Sequence, residues 1–192
     1  MGYYSRMLKG MGYEVLGVDI SDKQIEFAMS KSNGIQYFQS DAAQMQMLEN
    51  DYFDLVVCSM GLIDTPDLNG ALREVNRVLK RGKYFVLSLT HPCFDRPMVG
   101  NWIRDNDGNK TGFSIDNYSL ERSMVFAWEM KRLKYPFDTL TYHRTLSTYL
   151  NSLIENNLQI DKISEPHTDI DGKLDQEEFR VPNFLIVRCK KG

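Results

Sequence analysis

The chain has 192 residues, a formal net charge of −3 and a pI near 5.6, with 42% hydrophobic and 26% charged residues, which suits one globular domain with a real core. A nucleic-acid binder carries a basic excess or stripe; the nearest approach here is Lys131-Arg132-Leu133-Lys134, so polynucleotide substrates are disfavoured. No apolar stretch approaches a membrane span, and Arg6 and Lys9 interrupt the region where a signal peptide needs its apolar core, so the expected location is the cytoplasm, with no membrane partner.

Alternating strand and helix signals along the chain predict an α/β fold with a mostly parallel sheet. Tyr3 to Lys9 is helical in character and stops at Gly10-Met11-Gly12. Tyr13 to Asp19 reads as a short strand ending in an acid. Ser21 with Gln24 three residues on is a capping-box signature for a helix from Asp22 to about Lys31, closed by Asn33-Gly34. Ile35 to Gln39 is the next strand, ending at Ser40-Asp41, and Met45 to Leu48 follows as a short helix or loop. Phe53 to Cys58 is nearly continuous apolar, as expected of a strand buried on both faces. A helix is expected from Thr65-Pro66, with Leu68, Leu72, Val75, Val78 and Leu79 at helical spacing, and Lys80-Arg81-Gly82 as its stop. Tyr84 to Leu89 is another buried strand.

From about 92 to 142 the pattern breaks down. The segment holds Pro92, Pro97, the Asn106-Asp107-Gly108 turn, Trp102, Trp128 and Pro136, and is too long for a plain connection. It reads as an insertion in a single domain, with short strands or helices of its own, covering the substrate site. A helix from Leu146 to about Asn156 restores regularity. Strands follow at Gln159 to Ser164 and Pro182 to Cys189, with an exposed loop at Asp171-Gly172 and Asp175 to Glu178 between them; these last strands suit an antiparallel pair at the sheet edge. Cys58, Cys93 and Cys189 match no CxxC or zinc spacing and read as free thiols, Cys58 as a buried small hydrophobe; no metal is expected.

A strand ending in an acid (Asp19), a second ending in Asp41-Ala42 and a third ending at Ser59-Met60-Gly61 resemble the successive cofactor-contacting strand ends of class I, Rossmann-like S-adenosylmethionine-dependent methyltransferases. Thr90-His91-Pro92-Cys93-Phe94 with Tyr142 to Leu150 looks like a bacterial subgroup acting on small molecules. The resemblance implies S-adenosylmethionine as cofactor and a small-molecule acceptor. It also implies roles residue by residue. Asp19 would accept both ribose hydroxyls, and Ile20 would lie against the adenine. Asp41 would accept from the adenine amino group, with the Ala42 amide at a ring nitrogen. Ser59 and Met60 would line the sulfonium and methionine part. Each has a plainer reading: Asp19 as a surface acid before a helix, Asp41 as a cap, Met60 as core. Asp64 is a further polar candidate.

The family's Asp-x-Gly-x-Gly-x-Gly segment lies on its first strand and loop. Here Gly2 aligns with the last of those glycines, so the expectation is an N-terminally truncated chain, missing its first strand, with Met1 an internal methionine of a longer product. Gly10-Met11-Gly12 is no substitute, because it follows a helix and precedes a strand.

His91 and His143 are the candidate general bases, Arg144 the candidate holder of an anionic group, and Trp102, Phe113, Trp128 and Tyr142 either an apolar lid or the insertion's own packing. Two other readings stand beside methyl transfer. An NAD(P)-dependent oxidoreductase uses a similar sheet, although the Tyr-x-x-x-Lys pattern of the short-chain dehydrogenases occurs at no tyrosine. A non-catalytic remnant would keep the fold's outline without holding the cofactor.

Overall fold

A computed structural model describes residues 2–128, 137–166 and 180–192. The Asp171-Gly172 turn, the charged run 175–178 and Pro136 lie outside the described residues. The chain forms two compact units, Met1–Glu49 and Asn50–Gly192.

The first unit runs α1 (Tyr3–Gly10), β1 (Leu16–Asp19), α2 (Asp22–Ser30), β2 (Gln36–Gln39). Ser21 caps α2 by accepting from the Gln24 amide at 3.3 Å, as its spacing predicts, while Ile25 and Ala28 face inward. β1 and β2 pair in parallel from Leu16↔Gln36 to Asp19↔Gln39. Parallel register puts both carboxyl ends on one side, and the Ser40 amide donates to the Asp19 carbonyl at 3.0 Å.

The second unit runs β3 (Phe53–Ser59), α3 (Leu68–Val78), β4 (Leu79–Thr90), β5 (Gly100–Arg104), β6 (Lys110–Ile115), β7 (Arg122–Trp128), β8 (Phe137–His143), α4 (Leu146–Glu155), β9 (Leu158–Ser164) and β10 (Phe184–Lys191). Its main sheet has the order β3-β4-β10-β9. β3 and β4 are parallel, whereas β10 is antiparallel to both β4 and β9, so the sheet is mixed. The closing pair is antiparallel, and β9 takes the edge. The 92–142 segment contributes two antiparallel hairpins, β5–β6 and β7–β8.

The core of this unit follows from alternation. Phe85, Leu87 and Leu89 of β4 and Leu185, Val187 and Cys189 of β10 are 0–1% exposed. Buried residues of α3 (Leu68, Ala71, Leu72, Val75, Val78) and of α4 (Tyr149, Leu153) complete it.

Three local expectations change. The helix after β3 starts at Leu68, not Thr65-Pro66. Asp67 takes the N-cap by accepting from the Gly70 amide at 2.8 Å, while the Thr65 hydroxyl turns back to the Gly61 carbonyl. Lys80-Arg81-Gly82 does not end the element; β4 runs through it, with Gly82 at φ +72°. β3 is not buried on both faces: Val57 is 37% exposed and Cys58 half-buried. An edge strand lacks a neighbour's side chains on one flank, and among the described residues β3 pairs only with β4. All three cysteines are free. Burial pushes the Cys58 thiol up against the pull of the Gly61 and Leu62 amides, and raises Cys189 to about 12.

Candidate functional site

In the first unit, the parallel pairing of β1 and β2 collects Asp19, Ile20, Asp41 and Ala42 at one end of the sheet. Asp19 accepts from the Ser21 amide through Oδ1 at 2.9 Å. Asp41 accepts from the Ala43 amide at 2.9 Å and closes a turn through its carbonyl to the Gln44 amide. Ile20 is 67% exposed, an unusual position for a large apolar side chain beside two carboxylates. Gly2 has φ +65°, and a Cβ there would stand 2.8 Å from the Tyr37 hydroxyl and 2.9 Å from the Ala28 Cβ. Backbone conformation and space therefore both demand glycine.

In the second unit, the turn after β3 has an unusual backbone. Met60 sits at φ +62°, a left-handed conformation that disfavours a side chain of its size. Its amide donates to the Ser88 carbonyl at 2.9 Å, and the Ser59 and Ser88 hydroxyls lie 3.0 Å apart. The end of β8 holds the loop that follows. The Tyr142 amide donates to the Ile63 carbonyl at 2.7 Å, and the Thr141 hydroxyl to Asp64 at 2.7 Å. Arg144 donates to the carbonyls of Leu62, Thr65 and Pro66 at 3.2, 2.7 and 3.0 Å. Its guanidinium is stacked by Tyr142 at 4.9 Å and Tyr149 at 5.9 Å. Burial pushes the Asp64 carboxyl up, and Thr141 holds it back.

Thr90, Asp95, Tyr142, His143, Arg144 and Tyr149 line a narrow cleft walled by Ile63 and Pro92. Three of these (Tyr142, His143, Arg144) are expected from the sequence; Asp95 and Tyr149 are not. Tyr149 lies on the buried stripe of α4, where helical spacing reads it as core, and Asp95 follows a proline-rich turn without a motif. His143 is 2% exposed, and its Nε2 contacts the Tyr118 carbonyl at 2.7 Å. A carbonyl only accepts, so Nε2 carries a proton.

His91 lies outside the cleft lining, and both its nitrogens are engaged. Its Nδ1 accepts from the Cys93 amide at 3.2 Å, so Nε2 donates to Glu165 at 2.8 Å. Trp102 packs edge-on to Phe113 at 5.2 Å, with Phe113 against Phe94 and Phe94 against His91, an aromatic cluster apart from Tyr142. The Trp128 side chain lies outside the described residues. Among those residues no group of three His, Cys, Asp or Glu is arranged to hold a metal, and no helix is long and apolar enough to cross a membrane.

Asp95 offers a direct check on the electrostatics. Burial raises its carboxyl above the ordinary 3.8, against the pull of His143, the Thr90 side chain and the Arg96 amide. The folded chain therefore binds this proton more tightly than the unfolded chain does. Stability from the group is full below pH 3.8 and falls as pH rises through the raised value. Asp95→Asn should raise the thermal midpoint at neutral pH, and the gain should vanish in acid. A lower midpoint at neutral pH would show the charged carboxylate to be a net stabiliser.

A family model described as a methyltransferase domain matches residues 1–87. The fold is close to that of an S-adenosylmethionine-dependent methyltransferase from Mesorhizobium loti, with a TM-score of 0.80 and 29% identity, covering 98% of this chain and 86% of that one. A demethylmenaquinone methyltransferase of Lactobacillus johnsonii is 33% identical over 155 residues, 74% of this chain and 63% of its own length. The corresponding Staphylococcus saprophyticus enzyme is 37% identical over 83 residues, and the chain spans only about a third (35%) of it. With the domain match over residues 1–87 and the structural likeness over nearly the whole chain, the chain belongs to the class I S-adenosylmethionine-dependent methyltransferases, a family whose cofactor is S-adenosylmethionine.

Proposed function

We propose that this protein transfers a methyl group from S-adenosylmethionine to a small-molecule acceptor. The carrying observation is the parallel register that sets Asp19 and Asp41 at the same end of β1 and β2. Ligands of open α/β sheets bind outside such strand ends. The residues fit the cofactor: the Asp19 carboxylate commits one oxygen to Ser21 and keeps the other for a hydroxyl, and the exposed Ile20 side chain follows it in the chain. Asp19 then holds the ribose, Ile20 and the Asp41-Ala42 turn the adenine, and Ser59 and Met60 the methionine end. Bound there, S-adenosylmethionine supplies an electrophilic methyl on a sulfonium. The protein's own contribution is orientation, since an in-line displacement gains most from fixed geometry. His143 is the base for an acceptor that must lose a proton. The 92–142 hairpins form the acceptor side of a single methyltransferase-like domain, and the location is cytoplasmic.

The finer fold assignment belongs to the same proposal. Among the described residues β1 pairs only with β2, and β3 only with β4. The fold proposed with it is a Rossmann-like sheet, mostly parallel, with an antiparallel final strand.

Titration of S-adenosylhomocysteine and NAD against this chain and an N-terminally extended form tests the reading. Binding of S-adenosylhomocysteine, stronger in the extended form, is expected. Tight NAD binding by either form overturns the assignment. If neither form binds S-adenosylhomocysteine, the non-catalytic reading takes its place.

A further inference from the structure

We propose that Asn33 is a site of spontaneous modification, converted by water to aspartate and isoaspartate through a cyclic imide with Gly34, and that the fold leaves this Asn-Gly pair open while it holds the other one shut. Asn-Gly occurs at Asn33-Gly34 and at Asn69-Gly70. Such a pair is labile because glycine has no Cβ to shield its amide nitrogen from the side chain before it. An unfolded chain offers both pairs to the same chemistry; the folded structure separates them.

Asn33 and Gly34 are exposed and lie between α2 and β2, inside neither element. Among the described residues neither the Asn33 side chain nor the Gly34 amide makes a hydrogen bond. The Lys9 ammonium donates to the Gly34 carbonyl, which leaves the Gly34 nitrogen uncommitted. Asn69-Gly70 is closed from both sides. The Gly70 amide is buried in the first turn of α3 and donates to the Asp67 carboxylate at 2.8 Å. The Asn69 side-chain oxygen accepts from the Asn156 side-chain amide at 3.0 Å. The related Asp107-Gly108 pair is held as well, since the Gly108 amide donates to the Asp105 carbonyl at 3.1 Å.

The reaction follows from these atoms. The Gly34 nitrogen, losing its proton to water or hydroxide, bonds to Cγ of Asn33. The bond from Cγ to Nδ2 breaks, and Nδ2 leaves as ammonia after taking a proton from water. Water then opens the imide at either carbonyl. Breaking the new bond gives aspartate. Breaking the original peptide bond gives isoaspartate, which runs the main chain through the side chain. No electron is gained or lost. The product carries one new carboxylate, next to the residue whose carbonyl Lys9 holds, and isoaspartate lengthens the connection just ahead of the buried Ile35.

The full chain, incubated in mildly alkaline buffer and digested for peptide mass spectrometry, tests this. While folded, it should lose the Asn33 amide at least about tenfold faster than the Asn69 amide, the protection expected of a hydrogen bond to a charged group. In urea strong enough to unfold the chain the ratio should collapse, because both pairs are then solvated. Asn33→Gln, whose longer side chain must close a larger ring, should stop most of the build-up of acidic protein seen on native isoelectric focusing. A folded-state ratio below about tenfold overturns the proposal, since the hydrogen bonds of α3 would then not be what decides. A ratio as large in urea as in the folded chain overturns it too, because sequence rather than structure would set the rates. Undiminished build-up of acidic protein in Asn33→Gln also overturns it. The measurement needs no cofactor and stands apart from the function proposed above.

Discussion

Asp19→Ala should weaken S-adenosylhomocysteine binding by about a hundredfold, measured in whichever form of the chain binds it most tightly. The size follows from the bonds at stake. A hydrogen bond to a charged group contributes about 1.5–3 kcal/mol, and a ribose offers two hydroxyls to one carboxylate, so losing both removes at least about 3 kcal/mol, or two powers of ten. Asp19 also accepts from the Ser21 amide, and Ser21 caps α2, so truncation loosens the start of that helix. Asp19→Asn separates the two effects. It keeps an oxygen for the Ser21 amide and removes the charge, so it should cost about tenfold in affinity with little change in the unfolding midpoint. Affinity within twofold of the unsubstituted chain for Asp19→Ala would return Asp19 to its plainer role as a surface acid ahead of a helix.

What the sequence makes legible here is local. Ser21 with Gln24 and the acid closing β1 depend on neighbours a few residues away, and they appear in the structure as their spacing implies, whereas the glycine at position 2 is demanded by the distant Tyr37 and Ala28. The antiparallel ending is legible for a similar reason, since two short strands separated by a polar, turn-rich stretch suit a return connection. The cleft is a different matter. It depends on contacts between residues about eighty positions apart: Tyr142 with Ile63, Thr141 with Asp64, Arg144 with Leu62, Thr65 and Pro66. No periodicity encodes these contacts. Tyr149 shows the consequence plainly, because its place on an apolar helical stripe carries no sign that its ring meets the Arg144 guanidinium. Arg144 stands out in the sequence as a cation beside a histidine, but not as the residue that holds the loop after Met60. The exposure of β3 is equally non-local: an apolar run reports burial only when strands flank it on both sides, and β3 has one neighbour among the described residues.

Arg144→Met should destabilise the second unit by about 3–5 kcal/mol, the range for breaking a buried, hydrogen-bonded charge network. The carbonyls of Leu62, Thr65 and Pro66 lose their donor together; the buried Leu62 acceptor left without a partner costs about 1–3 kcal/mol, and the part-buried Thr65 and Pro66 acceptors cost less. The stacking on Tyr142 and Tyr149 goes with the guanidinium, while methionine refills most of the volume, so the loss reports bonding more than a cavity. Arg144→Lys should recover only part of the stability. An ammonium is a point donor that does not reach three carbonyls in the planar fork geometry, although it restores the charge. Urea unfolding followed in the second unit measures both variants, and an unchanged slope would show that the loss is one of stability rather than of a different unfolded state. The functional consequence is specific. The loop from Leu62 to Pro66 begins directly after Met60 and Gly61, and Met60 holds a left-handed backbone that surrounding structure must enforce. With the clamp removed, that conformation relaxes, and S-adenosylhomocysteine affinity should fall even under conditions where Arg144→Lys and Arg144→Met remain fully folded. A loss below about 1 kcal/mol for Arg144→Met would place Arg144 among ordinary surface cations, contrary to its burial and its three carbonyl partners.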